Sequence, residues 1–401
     1  MTILGHIPFN RPYYVGDEHE RVLDAIAAGH ISAGGGFTER CERALEAQLG
    51  AARVLLTPSC TAALELAAVL LEIGPGDEVI MPSFTFASTA NAFVLRGAVP
   101  VFVDIREDTL NLDETLVEAA ITPRTRAIVP VHYAGVGCEM HALVQIAERY
   151  GVALVEDAAH AAMARHEGRP LGAFGHLGTL SFHETKNLTC GEGGALVISD
   201  PALVARAEIL RDKGTNRSAF LRGDVDRYTW VDIGSSYGMS DLSAAFLWAQ
   251  LGEAQAITAH RLRIWQRYDD AFAGLEARGV VRRPVVPVSS EHNAHMYYLL
   301  APGPRERDAL IEALRRRRVD AVFHYVPLHA SPAGRRYGRT CGPLVETVRQ
   351  SERVLRLPLW AAMTDATCDR VIDAVHASAA ELLAPAGLAA AEPQLARVSG
   401  P

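Results

Sequence analysis

Short apolar runs recur along the first half of the chain, each followed by a segment whose apolar residues fall at helical spacing. Runs at 54–56, 79–82, 99–103, 127–131 and 152–155 read as strands, and segments 62–71, 89–95, 113–120 and 139–150 as helices. Strands that are apolar throughout, rather than alternating, belong to a parallel sheet covered on both faces. Their alternation with helices requires right-handed crossovers. The pattern therefore predicts an α/β fold with a mostly parallel central sheet covered by helices. Amphipathic helices at 17–28 and 37–49 precede it; strands at 178–183 and 195–199 and a helix at 201–211 continue it. A long helical stretch, 240–275, is expected to bridge to a smaller α+β unit with strands at 296–300 and 319–325 around a helix at 306–317. This divides the chain into a large domain at 1–250, a small C-terminal domain at 251–383 and an Ala/Pro/Gly-rich tail at 384–401, expected to be disordered.

Composition narrows the class. A chain of 401 residues exceeds a single core, and 49% hydrophobic with 21% charged residues is ordinary for a globular protein. The N-terminus has no basic segment leading into an apolar one, and no stretch of ~18 uninterrupted apolar residues occurs, so no membrane association and a cytoplasmic location are expected. A net charge of −8 argues against a general nucleic-acid binder while allowing a local basic site. The six cysteines are scattered with no CxxC pair, which argues against a zinc site or a disulfide framework and for reduced structural thiols.

The candidate chemistry lies at the ends of two strands. The run at 152–155 leads into Glu156-Asp157-Ala158-Ala159-His160, placing Asp157 at a strand's carboxyl end, where open α/β sheets bind ligands. The run at 178–183 leads into Glu184-Thr185-Lys186-Asn187 and then Gly191-Glu192-Gly193-Gly194, a spacing that lets Lys186 return to the same end. A carboxylate to pair with a pyridinium nitrogen and a lysine to form a Schiff base are what pyridoxal 5'-phosphate (PLP) requires of a protein. Most such charges are simply solvated, so the pair needs support. Thr57-Pro58-Ser59-Cys60-Thr61 opens a helix and is either a plain N-cap or an anion site. Phe84 and Phe86, just past a strand end, either pack in the core or offer a ring to stack on a cofactor. Gly34-Gly35-Gly36 is a connector or a loop whose amides approach a ligand, and the polar, aromatic segment 213–238 is a solvated loop or an excursion into a neighbouring subunit's site. The run Arg315-Arg316-Arg317-Arg318 reads as a solvated helix end.

Taken together, these segments resemble the DegT/DnrJ/EryC1/StrS family of PLP-dependent nucleotide-sugar aminotransferases of fold type I, from about residue 8 to about residue 383. The specific strings are Leu56-Thr57-Pro58-Ser59-Cys60-Thr61-Ala62, Ser181-Phe182-His183-Glu184-Thr185-Lys186-Asn187, Lys213-Gly214-Thr215-Asn216-Arg217-Ser218 and Asp232-Ile233-Gly234-Ser235-Ser236-Tyr237. Within the family they are similar to the dTDP-4-amino-4,6-dideoxygalactose transaminases. The resemblance implies that Lys186 holds PLP, that Asp157 pairs with its ring nitrogen, and that His160, where the family more often has Gln, faces the ring hydroxyl. It places Phe86 as the stacking aromatic and Cys60, Thr61 and Ser181 at the phosphate. Gly238 stands where the family often supplies an Asn to the partner subunit's phosphate, leaving Ser235, Ser236 or a backbone amide for that contact. Gly35, Gly36, Tyr325 and His329 are candidates for the substrate. The implied reaction moves an amino group from L-glutamate to C4 of a dTDP-linked 4-keto-6-deoxyhexose in a homodimer with active sites at the subunit interface, with no metal. Amination at C3 is an alternative. A related sugar dehydratase, in which His replaces the lysine, is disfavoured by Lys186, and a non-catalytic role by the full set of cofactor residues.

Overall fold

The apolar runs assemble into one eight-stranded sheet. In the computed structural model, which describes residues 5–383, the strands are β1 (Arg53–Thr57), β2 (Glu78–Pro82), β3 (Val99–Val103), β4 (Thr125–Ile128), β5 (Ala153–Asp157), β6 (Arg165–His166), β7 (Arg169–Pro170), β8 (Leu177–Ser181), β9 (Gly194–Ile198), β10 (Ser290–Glu291), β11 (Tyr297–Leu300), β12 (Val322–Phe323), β13 (Arg339–Thr340) and β14 (Val354–Leu357). The large sheet has the order β1-β9-β8-β5-β4-β2-β3-β13. All its pairings are parallel except those of β9, which runs against both β8 and β1.

Strand periodicity sends consecutive side chains to opposite faces, and both faces are covered. Leu56, Ile80, Leu154 and Val197 join a core with the helices Gly36–Leu49, Met140–Tyr150 and Asp241–Gly252, while their neighbours Leu55, Val79, Val155 and Leu196 pack with the helix Cys60–Leu70. This explains why the strands carry no polar alternation. A second sheet, β11-β14-β12, builds its own core with Trp265, Tyr268 and Phe272 of the helix Ala254–Ala277 and Val371 of the helix Asp365–Leu383. Between β12 and β14 the chain returns to the large sheet, where β13 pairs with β3.

Several expectations change in detail. The stretch 240–275 is two helices, because at Glu253 (φ −108°, ψ 12°) the helical path is broken. The expected strand at 319–325 shrinks to β12: Val319 bridges Ile7 instead, and Tyr325 takes a left-handed φ of 36° that ends the extended run. Segment 113–120 begins as a 3-10 turn, Glu114–Leu116, before the helix Val117–Ala120. Within 213–238 lies a short helix, Arg217–Arg222. The tail at 384–401 falls outside the described residues. No described helix is long and apolar enough to cross a membrane.

Candidate active site

β5 ends on adjacent carboxylates that its pleat sends in opposite directions. Glu156 turns to the far face, where it accepts the amides of Gly172 (2.8 Å), Phe174 (2.6 Å) and Gly175 (2.8 Å) and meets His132 Nε2 at 2.9 Å. Asp157 turns to the other face. One of its oxygens accepts the Thr89 hydroxyl at 2.7 Å, itself 2.7 Å from the Thr85 hydroxyl, and the other accepts the Ala159 amide at 3.2 Å. Burial raises the Asp157 pKa above the usual carboxylate value, against the pull of Thr89, Ala159 and Lys186. A positive group set against it would relieve that cost.

β8 leads into the turn that carries Lys186, whose amide donates to the His183 carbonyl at 2.9 Å. Burial lowers the Lys186 ammonium pKa, while the charges of Cys60 and Asp157 favour its protonated form and Arg356 opposes it. The Cys60 thiol is pushed up to about 12 by burial and by Asp157. The charges of lysine, aspartate and cysteine thus act on one another at the same end of the sheet, where their strand-end and helix-start positions place them.

Behind the pocket stands a stack of rings. His160 lies 4.2 Å from His295, centroid to centroid, with 17° between planes, and His324 continues the stack at 6.1 Å and 27°. The His160 Nε2 is 3.4 Å from the Tyr325 hydroxyl, and its Nδ1 is buried without a hydrogen-bond partner among the described residues. Burial holds all three imidazoles far below their ordinary pKa, so they are neutral. Asn187 fixes the stack from the lysine side: its amide nitrogen donates to the Asn293 carbonyl (2.8 Å) and its oxygen lies 3.0 Å from His295 Nδ1, which must therefore carry a proton. Asn293 in turn donates to the carbonyls of His160 (2.8 Å) and Ala162 (2.7 Å). Asn187, Asn293, His295 and Arg356 were not singled out by sequence. Their separation along the chain hides the contacts, and only the dense His/Asn cluster at 292–295 hints at them.

At the other end of the pocket the helix Cys60–Leu70 starts with Ser59 as N-cap, its hydroxyl accepting the Ala62 amide at 3.1 Å. The amides of Cys60 and Thr61, at the positive end of the helix, make no described intrachain bond, and the Thr61 hydroxyl is 2.8 Å from that of Ser88. Across the β8–β9 pair, Ser181 is buried opposite Gly194. A Cβ at position 194 would lie 2.3 Å from the Cys60 nitrogen, so only glycine lets the helix start come this close.

The remaining candidates separate. Phe84 is core, whereas Phe86 is 61% exposed with its ring 6.5 Å from that of Tyr325. His329 is tied to the end of β2, its Nδ1 2.7 Å from the Ser83 hydroxyl. Gly35 has a packing reason: a Cβ there would lie 2.4 Å from the Asp241 carboxylate, which takes the Thr38 amide at 2.7 Å and caps the helix Gly36–Leu49. Gly36 opens that helix and has free space where a side chain would go. Ser235 and Ser236 are exposed; Ser235 makes backbone bonds to Leu210 and Lys213, Ser236 bridges Asp212, and neither joins the Asp157–Lys186 pocket within this chain. At Gly238 a Cβ would lie 2.6 Å from that of Ala33, so this packing excludes an asparagine.

The donor set fits PLP: a buried carboxylate for the ring nitrogen, an orphaned imidazole nitrogen for a ring oxygen, a depressed lysine for the aldehyde carbon, and a helix start with free amides for the phosphate. Comparison with known proteins agrees. Similar structures include the aminotransferase TlmJ from Streptoalloteichus hindustanus, with 32% identity, TM-score 0.86, and 94% of this chain and 99% of that one covered. S. venezuelae DesV has 33% identity and TM-score 0.85, covering 93% of this chain and 98% of that one. Spr1654 from Streptococcus pneumoniae, solved in PLP and PMP forms, has 28% identity and TM-score 0.86; the PLP form covers 94% of this chain and 100% of that one. Residues 12–376 match the DegT/DnrJ/EryC1/StrS aminotransferase family, and the chain belongs to that family of PLP-dependent sugar aminotransferases.

Proposed function

We propose that the enzyme transfers the amino group of L-glutamate to C4 of a dTDP-linked 4-keto-6-deoxyhexose, giving a dTDP-4-amino-4,6-dideoxyhexose. The observation that carries this reading is the lysine turn, Ser181-Phe182-His183-Glu184-Thr185-Lys186-Asn187, set against Asp157 and His160 in one pocket. PLP, when bound, would supply the electron sink for the reacting carbon and the carrier for the transferred amino group. Asp157 keeps the ring nitrogen protonated, and its desolvation makes that pairing strong. Lys186 anchors the cofactor and, once released, moves the proton at the reacting carbon; burial depresses its pKa toward the range useful for general acid–base work. His160, neutral, orients the ring oxygen. Cys60, Thr61 and Ser181 receive the phosphate, and Phe86 covers the ring. Arg356, a largely enclosed cation whose Nε has no described partner and whose charge reaches His160 and Lys186, favours a dicarboxylate amino donor.

The enzyme acts as a cytoplasmic homodimer with each site at the subunit boundary. Exposed apolar residues on the segment that carries Ser235 and Ser236, among them Trp230 (76%) and Ile233 (49%), support that assembly. Gly35, Gly36, Tyr325 and His329 line the approach of the sugar nucleotide. Incubating the purified enzyme with PLP, L-glutamate and either dTDP-4-keto-6-deoxyglucose or its 3-keto isomer tests the assignment by product mass and proton NMR. Nitrogen on C4 from the 4-ketone is the expected result, and the coupling constants at C4 give its axial or equatorial placement. Amination of the 3-ketone alone would overturn the C4 assignment.

A further inference from the structure

On the far side of the hairpin that follows His160, two imidazoles and a carboxylate converge. His166 closes β6 and is 1% exposed, yet neither ring nitrogen has a hydrogen-bond partner among the described residues, and Nδ1 is fully enclosed. Its ring is fixed: a Cβ at Gly137 would lie 3.0 Å from Nδ1, and β6 is held between β10 and β7. Glu167 and Gly168 form the two-residue turn between β6 and β7, both at positive φ (48° and 76°), and the Glu167 amide donates to the Ser289 carbonyl at 2.7 Å. The Glu167 side chain is therefore presented from a defined point. It meets His141, in the first turn of the helix Met140–Tyr150, with 3.0 Å between Oε2 and Nε2. One ligand atom from each of His141, His166 and Glu167 lies within 4.8 Å of the others.

We propose that His141, His166 and Glu167 bind a divalent transition-metal ion of the zinc class, tying the start of the helix Met140–Tyr150 to the β6–β7 hairpin. Two imidazoles and one carboxylate suit zinc and its neighbours rather than magnesium or calcium, which take oxygen ligands. Ligand atoms around tetrahedral zinc stand ~3.3 Å apart, so closing the widest separation needs up to about 1.5 Å of movement. His141 and Glu167 are exposed and free to supply it, while buried His166 stays put. Water completes the coordination. The site is separate from the PLP pocket and uses no cysteine, which is why cysteine spacing gives no sign of it.

The test uses untagged, PLP-loaded enzyme stripped of metal with a chelator and titrated with zinc ion against a chromophoric competitor. One equivalent per chain is expected, with a rise of about 2–5 °C in the unfolding midpoint. The exposed substitutions His141→Ala and Glu167→Gln, which leave the packed His166 in place, should each weaken binding about 100-fold or more and abolish the midpoint shift. Cobalt(II) substitution should give visible d–d bands of tetrahedral intensity that both variants lose. Failure of the native enzyme to bind zinc, or equal affinity in the variants, would overturn the proposal without touching the aminotransferase assignment.

Discussion

The imidazole of His295 stacks on that of His160 at 4.2 Å, and the Asn187 oxygen 3.0 Å from its Nδ1 ties that stack to the residue beside the lysine. Orientation of His160 is thus set by the same turn that positions Lys186. Replacing His295 with Ala removes the stacked ring and strands the Asn187 oxygen, a loss of ~1–2 kcal/mol, or about tenfold in PLP affinity. Cofactor titration of the apoenzyme checks this; unchanged affinity would remove His295 from the site.

Three neutral buried histidines give stability a pH dependence of definite sign. The folded pKa values of His160, His295 and His324 all lie well below the unfolded value of about 6.5, so below that pH the unfolded chain binds more protons. Stability is complete above about pH 6.5 and is lost as pH falls further, by up to about 1.4 kcal/mol per pH unit for each ring. Urea midpoints should fall between about pH 7.5 and about pH 5.5, and His324→Gln should flatten the slope by roughly one proton. A flat profile in the native enzyme would contradict the assignment of neutral rings.

Among the described residues, Thr89 is the one whose hydroxyl bonds to Asp157. Thr89→Val keeps the shape and deletes the donor, which leaves the carboxylate easier to protonate and a weaker partner for a ring nitrogen. A fall of about tenfold in kcat/KM is expected, corresponding to ~1.4 kcal/mol, with the loss greater at acid pH. An unaltered pH–rate profile would assign Thr89 to packing alone.

Much of this was legible from the chain, and the rest was not for identifiable reasons. Buried parallel strands are written as apolar runs, so β1 to β5 and the placement of Asp157 at a strand end follow directly. The reversed direction of β9 does not, because an apolar run has no arrow. Ser59 and Thr61 read correctly as a helix start, since capping is local. The bonds from Asn187 to Asn293 and His295 join residues more than a hundred positions apart, and nothing periodic marks them. Gly238 looked like a missing ligand; its packing against Ala33 gives it a reason of its own.

Arg356 is an enclosed positive charge whose field reaches His160, His324 and Lys186 and whose Nε has no partner among the described residues. Arg356→Gln should raise KM for glutamate by about tenfold or more, as expected for a charge-assisted pair of ~1.5–3 kcal/mol, while KM for the sugar nucleotide stays within about twofold. Equal effects on both substrates would point to a structural role.

The most direct measurement follows nitrogen. Enzyme loaded with PLP and given [15N]glutamate and dTDP-4-keto-6-deoxyglucose should place 15N on C4 of the sugar and release 2-oxoglutarate. Lys186→Ala should form none of this product in multiple turnovers. Loss of oxygen from the sugar without gain of nitrogen, or full amination by Lys186→Ala, would contradict the account.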